Sequence, residues 1–222
     1  MGAVQLGGHL VHVALAGVDA LLYDFGGVMV EIHFDRVIRH WARAAGTEYE
    51  ALRTRFAFSP AYEAHERGEI DAAQYFQALR GELGIAIDDA EFAAGWNEIF
   101  GDEIAPTVEA AHRLESRVPQ YLFSNTNAAH YAYFSRRYHE ALAPLTRLFV
   151  SHEMRLRKPD RAAFEHVARE IGVEPAGILF FDDLAVNVEG ARAAGMEAIL
   201  VRSPADVEQA LRPWLGEMPT RT

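Results

Sequence analysis

Asp24 closes the apolar run in LLYDFGGV and is followed at once by Gly26 and Gly27. An acid in that place either shapes a turn or is displayed at the tip of a buried strand as a nucleophile or metal ligand. Two later apolar runs end in the same manner. QYLFSNT closes on Ser124, Asn125 and Thr126, and GILFFDD closes on Asp182 and Asp183, with Asn187 shortly after. Lys158 and Pro159 stand before the helical stretch that leads into GILFFDD. Singly, each has an ordinary structural use as turn residue, helix N-cap or first-turn proline. Together they are the equipment for phosphoryl transfer. Asp24, Asp182 and Asp183 converging on one edge make a hard-cation site suited to Mg²⁺, because something must neutralise several carboxylates. A residue without a side chain at Gly26 would let its carbonyl reach the metal. Ser124 and Asn125 offer donors for phosphate oxygens, helped by the N-terminus of the helix that follows. Lys158 balances the charge of a carboxylate nucleophile and a phosphoryl group.

The elements that must hold these residues are legible as apolar runs of buried-strand length: ALLYDFGG, QYLFSNTN, RLFVSHE, GILFFDD and AILVRS. Helical stretches such as TVEAAHRLESR, RAAFEHVAREIG and NVEGARAAG lie between them, two of them followed by Gly172 and Gly195 in the position of a left-handed cap. Strands alternating with helices predict α/β architecture, a Rossmann-like doubly wound parallel sheet. In such a sheet ligands bind outside the carboxyl ends of the strands, which is where the acids fall. One interval breaks the rhythm. From about Phe34 to Gly101 the periodicity is helical throughout, as in FDRVIRHWARAAG and DDAEFAAGWNEIF. The expected organisation is therefore an extension over residues 1–17, a core formed by 18–33 and 104–222, and an inserted helical cap over 34–103.

Composition narrows the partners. The 222 residues carry a formal net charge of −11, which argues against a nucleic-acid or anionic-membrane surface while leaving a small anionic substrate open. Cysteine is absent, so there is neither a disulfide framework nor a thiolate zinc site, and a cytoplasmic location is the default expectation. The apolar stretch GGHLVHVALAG has no basic residue before it and is too short to cross a bilayer.

In their order and spacing these residues resemble the four motifs of the haloacid dehalogenase superfamily of phosphohydrolases. YDFGGV matches the first motif, FSNT the second, Lys158 the third, and FFDD through Asn187 the fourth. AHERGEI, FSNTN and FFDDLAVN further resemble a bacterial subgroup that includes an α-glucose-1-phosphate phosphatase, and the N-terminal phosphatase domain of epoxide hydrolases. The resemblance implies that Asp24 attacks phosphorus to give an aspartyl-phosphate, which water then hydrolyses. It implies Mg²⁺ held by Asp24, the Gly26 carbonyl and Asp183, supported from behind by Asp182 and Asn187. It also implies a small phosphorylated metabolite as substrate, a sugar phosphate among the options.

The departure is at position 26. Most phosphatases of this family carry a second Asp two residues after the nucleophile, as acid to the leaving group and then base to water. Gly26 has no side chain to do this, and acid–base help is typically worth roughly 10²–10⁴-fold. Either the leaving group needs little protonation, or the cap supplies a donor, with His65 as first candidate and Arg67 beside it in the pocket. The competing reading of HERGEIDAAQ is structural: Gly68 ends one helix and Asp71 with Gln74 caps the next. Trp41 and Trp96 are expected in the cap interior, and Arg155 and Arg157 on a solvated face. Two alternatives to a phosphatase stay open, a 2-haloacid dehalogenase-like hydrolase and a degenerate member that binds a phosphorylated ligand without turnover. The paired acids Asp182 and Asp183 weigh against the first, since displacement at carbon without metal would not need both.

Overall fold

The computed structural model describes residues 17–215 together with the backbone of two short strands, β1 (Val4–Leu6) and β2 (His9–Val11), which pair antiparallel. Apart from these strands and Gly17, the extension expected over 1–17 lies outside the described residues. The main sheet has five parallel strands: β3 (Ala20–Tyr23), β6 (Gln120–Ser124), β7 (Arg147–Val150), β8 (Ile178–Asp182) and β9 (Glu197–Leu200). Their order is β7-β6-β3-β8-β9. β3 is central, and the chain builds outward from it first on one side and then on the other. The crevice of such a topological switch opens at the carboxyl ends of β3, β6 and β8.

The strands read as unbroken apolar runs because both faces of the sheet are covered. Leu21, Tyr23, Leu179 and Phe181 pack on one face, beneath α6 (Ala105–Leu114), α7 (Ala128–Arg137), α8 (His139–Leu142) and α12 (Pro204–Leu215). Ala20, Leu22, Ile178 and Phe180 pack on the other, beneath α10 (Arg161–Ile171) and α11 (Ala185–Ala193). One short helix, α9 (Ser151–Met154), follows β7 directly.

The interval read as helical forms α1 (Phe34–Ala45), α2 (Tyr49–Arg55), α3 (Pro60–Glu66), α4 (Ala72–Leu83) and α5 (Asp89–Asn97). These helices close around an interior of their own. Trp41 stacks on Phe92 with ring centroids 4.2 Å apart and on Trp96 at 5.7 Å, and both tryptophans are buried. Asp71 and Gln74 make the reciprocal capping box at the start of α4. The two chain crossings between core and cap are not loose linkers. β4 (Val30–Ile32) and β5 (Phe100–Glu103) pair antiparallel as a ribbon. FGDE does not announce a strand, having a glycine and two acids; it becomes one because β4, some seventy residues earlier, supplies its hydrogen bonds.

Candidate active site

Asp24 is the first residue after β3, Ser124 the last of β6 and Asp182 the last of β8, so three neighbouring strands deliver them to one crevice. Lys158 joins them at the centre. Its Nζ lies 2.8 Å from Asp24 Oδ1 and 2.7 Å from Asp182 Oδ2, with the Phe123 and Phe180 rings 5.3 and 5.4 Å away. The ammonium is 1% exposed. Burial alone would lower its pKa, but Asp182 and Asp24 together hold it above the ordinary lysine value, so it stays charged.

The surrounding amides fix this geometry. Asn125 grips the main chain of Lys158 from both sides: its Nδ2 donates to the Lys158 carbonyl (2.8 Å) and its Oδ1 accepts from the Lys158 N–H (2.8 Å). Asn125 therefore lines the cavity but spends its side chain on placing Lys158. Asp182, fully buried, accepts from the Leu184 N–H (2.8 Å) and from Asn187 Nδ2 (3.0 and 3.1 Å), which holds it toward the ammonium. Phe25 N–H donates to Asp24 Oδ1 at 2.7 Å. Asn127 N-caps α7, its side chain accepting from His130 N–H.

Asp183 stands exposed at the crevice, and oxygens of Asp24, Asp182 and Asp183 lie within 4.8 Å of one another. Burial pushes the Asp24 carboxyl up to about 8, with Asp182 and Asp183 adding to the rise and Lys158 opposing it. The low-dielectric wall behind Asp183, then Asp182, raises that carboxyl as well. Three carboxylates share one ammonium, an excess of negative charge that a divalent cation with oxygen ligands would neutralise. The donor set thus fits Mg²⁺. Gly27 makes room for it: φ is +71°, and a Cβ there would lie 2.4 Å from Asp183 Oδ2. Gly26 is different. A Cβ at 26 would meet Ile32 Cγ1 at 2.7 Å, so an apolar side chain occupies the space where an acid would stand.

The cap closes the other side of a cavity of about 450 Å³. Arg157, expected on a solvated face, instead reaches across to the cap. Its Nε and Nη2 donate to Glu66 Oε2 at 3.1 and 2.8 Å, and its Nη1 lies 3.4 Å from Glu63 Oε1. Burial raises the Glu66 carboxyl and Arg157 opposes the rise. The Ser151 hydroxyl lies 2.7 Å from the Glu66 carbonyl and 2.9 Å from that of Thr126, and accepts from Thr126 N–H. At Gly68 (φ +65°) the cap backbone comes so near the core that a Cβ would sit 2.4 Å from the His152 carbonyl oxygen.

His65 and Arg67 do not line the cavity. His65 stacks on Tyr75 at 4.7 Å with Nδ1 3.2 Å from the Ile70 carbonyl, and Arg67 pairs with Glu69 and Glu63 on the outside. The helix explains it: α3 presents Tyr62, Glu63 and Glu66 to the cavity, and at about 100° per residue positions 65 and 67 fall roughly 90–110° to either side of the centre of that face. Tyr62, Glu66 and His130 line the cavity as well, without having been expected there from the sequence. The four-residue spacing of Phe58, Tyr62 and Glu66 was the available signal.

The haloacid dehalogenase-like hydrolase family matches residues 18–195 of this chain. Among curated proteins, a D-ribitol-5-phosphate phosphatase of Bacteroides thetaiotaomicron is 22% identical over 196 residues, covering 86% of this chain and 95% of its own. A sesquiterpene phosphatase of Aspergillus oryzae is 26% identical over 162 residues, covering 71% of this chain and 81% of its own. Among solved structures, a HAD family enzyme of B. thetaiotaomicron in complex with magnesium and inorganic phosphate shares the fold, with a TM-score of 0.72 at 23% identity over 82% of this chain and 93% of that one. With the strand-end carboxylates and the buried lysine arranged as described, the match over most of its length places this chain in the haloacid dehalogenase-like hydrolase family.

Proposed function

We propose that the protein is a Mg²⁺-dependent phosphatase that hydrolyses a phosphomonoester through an aspartyl-phosphate on Asp24. The observation that carries this reading is the shared ammonium: Lys158 touches both Asp24 and Asp182 at the mouth of β3 and β8, with Asp183 beside them. Asp24, Asp183 and the Gly26 carbonyl would hold the metal, with Asp182 and Asn187 behind them. Bound there, Mg²⁺ supplies the positive charge that keeps Asp24 ionised and neutralises phosphoryl oxygens. Asp24 Oδ attacks phosphorus, the P–O bond to the alcohol breaks, and water later cleaves the acyl phosphate to regenerate the carboxylate. Lys158 stays protonated throughout and offsets charge on nucleophile and phosphoryl group. Ser124 lines the same cavity, where its hydroxyl would donate to a phosphoryl oxygen. The two curated relatives, both named as phosphatases, support the reaction class.

Position 26 decides what the site lacks. With Ile32 filling that space, no side chain of the Asp24 turn can protonate the departing oxygen. The reading therefore favours esters whose alcohol leaves readily. The experiment is Mg²⁺-dependent phosphate release from p-nitrophenyl phosphate by wild type and Asp24→Asn. Turnover that disappears with EDTA, and falls roughly 10⁴-fold or more in the variant, is expected. Turnover that survives either change would overturn the assignment.

A further inference from the structure

Much of the cavity wall beyond the carboxylates is apolar, and its arginine, tyrosine and histidine are already paired. Ile32, Phe34, Phe58, Ile99, Phe100 and Leu184 supply its apolar part. Arg157 is held by Glu63 and Glu66, the Tyr62 hydroxyl by Glu66, and His130 by Asn127 and the Trp96 carbonyl. A second phosphate or a carboxylate on the substrate would find two acids and an arginine they already neutralise. A polyol would have to displace these pairs or bury hydroxyls without partners, which is costly. Hydrocarbon meets no such penalty, and gains by leaving water.

The rim points the same way. Phe58 is 60% exposed and Leu184 53%, one on the cap and one on the core, and Val186 beside Leu184 is 53% exposed. Phe58 also belongs to an edge-to-face aromatic group, 5.3 Å from Phe34 and 4.9 Å from Tyr62. Large apolar side chains left open around the mouth of a cavity mark a surface that a ligand covers.

We propose that the alcohol part of the substrate is an apolar hydrocarbon body, carried on a single phosphate, that lies between Phe58 and Leu184 against the Phe34–Phe100 wall. This rests on the phosphatase reading above and goes further by naming the substrate class; it narrows the expectation of a small metabolite and excludes a polyhydroxylated sugar as the preferred one.

The test matches leaving groups so that only the wall is read. Phosphate release is measured from 4-butylphenyl phosphate and 4-(2-hydroxyethyl)phenyl phosphate, phenols of nearly equal acidity. The apolar ester is expected to have a kcat/KM at least tenfold higher, rising about threefold per methylene along the methyl-to-butyl series. Phe58→Ser and Leu184→Ser, whose side chains are exposed and should not affect folding, are expected to cut that ratio at least fivefold. A second readout needs no turnover: calorimetric binding of octylphosphonate and methylphosphonate to Asp24→Asn with Mg²⁺, where the octyl compound is expected to bind at least tenfold tighter. Equal kcat/KM for the two aryl esters, or equal affinity for the two phosphonates, overturns the apolar pocket while leaving the phosphatase standing. Tight octylphosphonate binding without hydrolysis of any ester retains the pocket and overturns the phosphatase.

Discussion

On the core side of the cavity, functional side chains hang from strand ends: Asp24 after β3, Ser124 closing β6, Asp182 closing β8. On the cap side they come from one face of the short helix α3, from Phe58 just before it and from Phe34 at the start of α1. Asp24, Asp182 and Lys158 are charged, buried and locked by hydrogen bonds and ion pairs, whereas the cap groups are aromatic or, like Glu63 and Glu66, paired with Arg157 of the core. A parallel sheet allows little variation in where its strand tips point, because register with two neighbours fixes each one. A helix face can turn or slide against the core at modest cost. The core half is accordingly suited to unchanging chemistry, and the cap half to choosing what enters.

The most severe change on the core side is at Lys158. Lys158→Met removes the only ammonium between two buried carboxylates and should cost about 3–5 kcal/mol of stability as well as turnover. Urea unfolding at pH 7 checks it. A loss below 1 kcal/mol would mean that the core charges are not held as tightly as their distances suggest.

A second change joins the halves, since Ile32 belongs to the ribbon that leads into the cap. Gly26→Asp alone should gain little, because its Cβ meets Ile32. The double variant Gly26→Asp, Ile32→Ala should raise turnover of alkyl phosphates relative to p-nitrophenyl phosphate by roughly 100-fold, the low end of what proton donation supplies. An unchanged alkyl-to-aryl ratio would show that leaving-group protonation is not what position 26 lacks.

Arg157→Met tests the seam. It leaves Glu66 buried without its cation and should weaken cap docking by about 1–3 kcal/mol. Amide hydrogen exchange is expected to speed up in α3 and around Gly68, with β3 and β8 unaltered. Faster exchange in the central strands instead would show that cap and core unfold as one unit.

The smallest effect concerns His130, buried at the same seam, where burial lowers its pKa to about 3 from 6.5 and the Trp96 carbonyl opposes the shift. The folded state keeps the ring neutral while the unfolded chain takes up a proton below pH 6.5. Stability from this group is therefore complete above pH 6.5 and falls as pH drops toward 3, by about 1 kcal/mol between pH 6.5 and 5.5. Thermal melts of wild type and His130→Asn across that interval should diverge; parallel curves would place the proton elsewhere.

The strand-end residues were legible because each closes a continuous apolar run of strand length, the pattern of a strand buried on both faces. The helices of the cap, its tryptophan interior and the Asp71–Gln74 box follow from local periodicity and capping in the same way. Other features depended on partners distant in the chain. FGDE is a strand only because β4 lies beside it, and Arg157 faces Glu66 only once the cap is seated, across ninety-one positions of sequence. His65 and Glu66 look equally able to serve the site in the sequence, and the rotation of α3 on the core alone separates them. The blank at Gly26 can be read from one letter, but that Ile32 fills it cannot. Local patterning determined the chemistry on offer, since strand tips and caps are set by neighbours in sequence. The tertiary structure decided the walls around that chemistry, since which face of a helix meets a cavity is set by packing between segments far apart in the chain.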